Sequence, residues 1–182
     1  MRRAAKLALL LALACDQQKS SGNHTRSEAV SSTRQEMSGP SLFSAGLLTP
    51  ALKALRSKAD GKWLRVEIRP REIVLQAEDS SNPGAVLEYH YRDGKVGEAE
   101  QATLRGKGQL SDNLFDISEV KLEAIPALTR EALRRVDPEH GSVELVLVRR
   151  NLPESAEVRL RVYVSSPRSS GYVEADRAGR AL

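Results

Sequence analysis

The 182 residues hold one cysteine, three histidines and only 4% aromatics. A lone cysteine, Cys15, excludes an internal disulfide framework and a cysteine-based zinc site. His24, His90 and His140 stand far apart, with no His-x-x-x-His spacing, so the pattern predicts no metal site. With so few aromatics, a core has to be built from Leu, Val, Ile and Ala. No apolar run approaches the ~20 residues of a membrane-spanning helix. No Gly-x-Ser-x-Gly elbow occurs. Gly106-Lys107-Gly108 lacks the earlier glycine and the following Ser or Thr of a phosphate loop. Glu98 and Glu100 lie two apart, with nothing near them that suggests a substrate groove. These absences predict no catalytic residue, no cofactor and no enzyme.

Charge of one sign is also scarce once its position is considered. The formal net charge is +4, but three of the 28 basic residues (Arg2, Arg3 and Lys6) precede Cys15. From Cys15 onward the chain keeps 25 basic against 24 acidic residues. That balance gives no electrostatic case for nucleic-acid binding. Hydrophobic residues at 40% and charged residues at 29% fit a globular chain rather than a disordered one.

What is present begins at the N-terminus. Arg2, Arg3 and Lys6 form a positive n-region, and Leu7 to Ala14 (LALLLALA) is an unbroken apolar run. Those are the proportions of a secretory signal, with Ala12-Leu13-Ala14 supplying small residues for cleavage. Cys15 follows at once. The arrangement resembles a bacterial lipoprotein signal, whose lipobox ends in cysteine. It departs from the commonest form in carrying Ala12 and Leu13. The resemblance implies residues 1–14 as signal peptide, a diacylglycerol on the Cys15 thiol, and anchorage in the bacterial cell envelope, facing periplasm or exterior. Ordinary secretion with a free cysteine is the alternative.

Residues 15–40 continue as a lipidated cysteine and flexible tether. Asp16 to Pro40 is rich in Ser, Gln, Gly and charge, and shows no hydrophobic period. A coil of that length has a root-mean-square span of about 25–30 Å, enough to clear lipid headgroups.

The remainder reads as an α+β fold of antiparallel sheets, each covered by one helix. One pattern recurs twice, over 41–105 and 106–182: a helix, then three runs of strand character. Pro50-Ala51-Leu52 returns as Pro126-Ala127-Leu128. Thr49 is the expected cap of the first helix, with Pro50 in its first turn and Leu48, Leu52 and Leu55 as its stripe. Ile125, Leu128, Ala132 and Val136 stripe the second, which Asp137-Pro138 stops. Alternation predicts strands. Leu64, Val66 and Ile68 face inward against Trp63, Arg65, Glu67 and Arg69 outward. Leu87, Tyr89 and Tyr91 oppose Glu88, His90 and Arg92. Val158, Leu160, Val162 and Val164 oppose Arg159, Arg161 and Tyr163. The nearly continuous run at Val143–Val148 predicts a central strand. A single sheet built from all the strands is the alternative to two modules.

Helix followed by antiparallel strands, twice, resembles the tandem PepSY-like and beta-lactamase-inhibitor-like modules of secreted bacterial proteins. Gly171 to Leu182 (GYVEADRAGRAL) resembles the ending of such repeats, and Asp93-Gly94 is the shorter counterpart. The expected functional surface is the wet sheet face: Trp63, Arg65, Arg69, His90, Arg92, Arg159, Arg161 and Tyr163. Trp, Tyr and Arg are enriched at binding hot spots because they join large contact area to directional donors. The expected role is a membrane-anchored, non-enzymatic binding, accessory or inhibitory module for another envelope protein. Acylated Cys15 would engage the bilayer, and the loops at 79–84 and 165–170 would assist recognition. A small-molecule or lipid carrier, with its ligand between helix and sheet, is the alternative.

Overall fold

The computed structural model describes residues 40–104 and 108–182. The leader, Cys15 and the tether as far as residue 39 therefore lie outside the described residues. The six strand-like runs of the sequence all pair. They form β1 (Trp63–Ile68), β2 (Glu72–Glu78), β3 (Val86–Arg92), β6 (Ser142–Arg150), β7 (Val158–Ser165) and β8 (Ser170–Ala175). Two short strands, β4 (Lys95–Val96) and β5 (Glu100–Gln101), add to the β3 edge. All eight belong to one antiparallel sheet in the order β4-β3-β2-β1-β6-β7-β8, with β5 also beside β3. The single-sheet alternative is thus the architecture found. The halves meet where β1 pairs β6 through Arg65↔Arg149, Val66↔Val148, Glu67↔Leu147 and Ile68↔Val146, and residues 40–182 form one unit.

Two helices, α1 (Ala45–Arg56) and α2 (Ile125–Val136), lie over one face of the sheet. The apolar stripes behave as their spacing requires. Leu48, Leu52 and Leu55 of α1 and Ile125, Leu128 and Ala132 of α2 are buried against Val66, Ile68, Leu75, Val148, Leu160 and Val162. α1 starts earlier than the sequence suggests. Its N-cap is Ser44 rather than Thr49, and Pro50 sits inside the helix. There Pro50 forgoes the hydrogen bond to the Gly46 carbonyl. α2 opens directly from a 3-10 turn at Leu122–Ala124 and has Pro126 at its start. Counted from that turn, Pro50 and Pro126 both lie about one turn into their helical stretches.

Trp63 does not join the open face. The register shifts between Trp63 and Arg65, and this bulge turns the indole inward, where Trp63 is 1% exposed. There it bridges Phe115 through two backbone hydrogen bonds of 2.9 Å. The connection between the halves is fastened at that point. Arg150 adds a hydrogen bond from Nε to the Leu114 carbonyl at 2.8 Å. At Gly61 the chain passes so close to β2 that any Cβ would stand 2.0 Å from the Glu78 carbonyl oxygen. Only glycine fits there.

Candidate polar sheet face

The alternation that sends Val, Leu and Ile to the helices sends the intervening residues of the same strands to the opposite face. Cross-strand register then fixes which of them meet. One transverse row runs His90, Val74, Glu67, Leu147, Arg161 and Glu174. A second runs Glu88, Gln76, Arg65, Arg149 and Arg159. A third, on the second half, is Leu145, Tyr163 and Tyr172. Of the eight residues expected on this face, Arg65, Arg69, His90, Arg92, Arg159, Arg161 and Tyr163 are on it, and Trp63 is the exception explained above.

On the first half the charges close into networks. Glu67 is buried to 9% exposure and receives both Arg65 and Arg69, the latter at 2.8 Å. Glu72 accepts from His90 Nδ1 at 2.7 Å and from Arg92 Nε at 2.8 Å. His90 Nε2 lies 3.0 Å from Glu88, which also accepts from Gln76 Nε2 at 2.7 Å. These side chains rim a shallow depression of about 290 Å³. Carboxylates on both ring nitrogens suit the imidazolium, which donates from both. The Glu72 bond raises the His90 pKa above its ordinary value, and the Glu88 bond adds to it against some desolvation. Desolvation works against ionised Glu72, but its bonds to His90 and Arg92 outweigh this and hold the carboxyl below its ordinary range. Among the described residues no cluster of three or more His, Cys, Asp or Glu is placed to hold a metal.

On the second half, Arg161 pairs with Glu174, donates to Asn151 Oδ1 at 3.0 Å, and lies 5.6 Å from the centre of the Tyr172 ring. Tyr172 packs on Tyr163 with ring centroids 5.8 Å apart, yet stays 56% exposed. Arg159 pairs with Glu157 at 2.9 Å. Arg149 is exposed and has no ion pair or hydrogen bond to its side chain among the described residues.

The fold has a structural counterpart. A solved structure of a candidate lipoprotein from Clostridium difficile 630 matches it with a TM-score of 0.54 over 80% of this chain and 94% of that one. Identity is 10%, so the likeness is one of fold. No protein-family model matches the chain, and no curated protein matches it.

Sequence reasoning missed Arg149, Tyr172 and Leu147. The continuous apolar run of β6 hid its alternation, because Leu147 is apolar at an outward position between the inward Val146 and Val148. Tyr172 was legible in principle. In Gly171-Tyr172-Val173-Glu174-Ala175 only Val173 and Ala175 are apolar and inward, which leaves Tyr172 and Glu174 outward.

Proposed function

We propose that this chain is a membrane-anchored lipoprotein of the bacterial envelope whose folded unit binds another envelope protein through the polar sheet face, without catalysis. The anchor rests on the leader, where a basic n-region, a short apolar run and a small-residue site end at Cys15. The candidate lipoprotein from Clostridium difficile shares the fold, which agrees with that reading. The binding role rests chiefly on one observation. The helices cover only one face of the sheet, and the other gathers Arg65, Arg149, Arg159, Arg161, Tyr163 and Tyr172 around the sheltered Leu147. Rigid strands fix the spacing of these groups, so a partner meets a pre-organised surface.

The carrier reading is disfavoured by packing. Trp63, Phe115, Leu48, Leu55 and Leu122 are fully buried in the space between helices and sheet, where a ligand would have to sit.

Two measurements test the proposal. Mass spectrometry of chain extracted from bacterial membranes should find a mature form beginning at Cys15 with added acyl mass. A soluble or unacylated form overturns the anchor. For the face, the double variant Arg159→Glu with Arg161→Glu, checked for a retained thermal transition, should lose the partners that the unaltered chain captures from envelope extract. An unchanged set of partners removes the face from consideration.

A further inference from the structure

The second transverse row holds an arrangement that the fold alone does not need. Arg65 stands opposite Arg149, and Arg149 opposite Arg159, on three adjacent strands. Neighbouring strands lie about 4.8 Å apart, so the three Cα positions span about 10 Å across the middle of the sheet. Like charges directly opposite one another on a sheet are destabilising. Elsewhere on this face the arginines Arg69, Arg92 and Arg161 each pair with a carboxylate. Here Glu67 serves Arg65 from one side and Glu157 serves Arg159 from the other, and neither reaches Arg149.

We infer that the row Arg65–Arg149–Arg159 is a receptor for paired carboxylates on an acidic segment of the partner protein. This rests on the sheet face being the binding surface. A guanidinium takes a carboxylate through two parallel N–H···O bonds, so each carboxylate set between two neighbouring arginines relieves their repulsion and gains directional bonds. Acidic side chains two apart on an extended segment repeat at about 7 Å, and those four apart on a helix at about 5–6 Å, both within the span of the row. Desolvation first, and then the neighbouring Arg149 charge, lower the pKa of Arg65 although it pairs with Glu67. Glu67, Glu72, Glu88 and Glu174 share the face. They interrupt the cationic surface, so discrete carboxylates that align with the arginine row fit it in a way that the continuous charge of a membrane surface does not.

The test uses the full-length chain and a fluorescent decapeptide alternating Glu and Ser, read by anisotropy, with a Gln/Ser decapeptide as control. The Glu peptide should bind, weaken as salt is raised, and weaken about tenfold in Arg149→Gln, the equivalent of one charge-assisted contact. The Gln peptide should not bind. The Arg149 side chain has no hydrogen bond or ion pair among the described residues, so this variant keeps its thermal transition. Equal binding by Arg149→Gln overturns the inference. So does failure to bind the peptide with binding instead to phosphatidylglycerol vesicles, which would make the row a lipid contact. The same variant separates this inference from the reading beneath it. If Arg149→Gln still captures the envelope partners that the Arg159→Glu, Arg161→Glu variant loses, the face stands and the carboxylate row falls. If neither variant loses them, the face itself falls.

Discussion

The two halves of the sheet use the same parts and finish them differently. Each supplies a helix and three long antiparallel strands, and each buries a comparable leucine of its Pro-Ala-Leu segment, Leu52 at 3% and Leu128 at 2% exposure. Outside, the first half closes its charges: Arg65 and Arg69 on Glu67, His90 and Arg92 on Glu72. The second half leaves Arg149 open and exposes Tyr172. Inward positions are held alike because both helices impose the same demand, the removal of apolar side chains from water. Outward positions carry no such demand, so their divergence is where the halves can differ in function.

The largest expected effect probes the joint between the halves. Trp63→Ala removes a fully buried indole from the core at that joint, and should cost about 3–5 kcal/mol in urea unfolding. A loss under about 1 kcal/mol, the size of an exposed substitution, would mean that the indole adds nothing to the backbone fastening at Phe115. Next come Leu52→Ala and Leu128→Ala. Each should cost about 2–5 kcal/mol, with a single unfolding transition in both variants because one sheet carries both halves. Two separated transitions would break the comparison and indicate two independent modules.

Much of this was legible in the sequence, and each miss has a local cause. Strand positions and the inward sets of β2, β3 and β7 follow from period-two alternation, which a covered sheet enforces. Trp63 escaped because it adjoins the register shift at Trp63/Arg65, whereas Leu147 and Arg149 of β6 escaped because an apolar side chain at the outward position 147 masks the alternation. An inserted residue reverses the facing of what precedes it without leaving a compositional mark. Whether the halves shared a sheet depended on β1 pairing β6. The two strands are separated in sequence by more than 70 residues, and although the apolar run of β6 marks it as central, nothing in its composition names β1 as its neighbour. The tyrosine pair of Tyr163 and Tyr172 likewise needs the β7–β8 register before the two rings can be seen to meet.

The smallest expected effect separates the two finished faces by pH. His90 has a raised folded-state pKa, from Glu72 first and then Glu88. Its contribution to stability is therefore full below the ordinary imidazole value of about 6.5, and is lost as pH rises through the higher folded value. Glu72, with a lowered pKa, behaves oppositely. Its contribution is full above about 4.3 and is lost only as pH falls through its lower folded value. The thermal advantage of the unaltered chain over His90→Gln should thus be greatest near about pH 5–6 and shrink towards about pH 8–9. Arg161→Gln, on the second half, should show no such decline, because the guanidinium does not titrate in that range. An advantage over His90→Gln that stays level across the same interval would mean the imidazole is held by packing alone. The first half would then be no more electrostatically closed than the second.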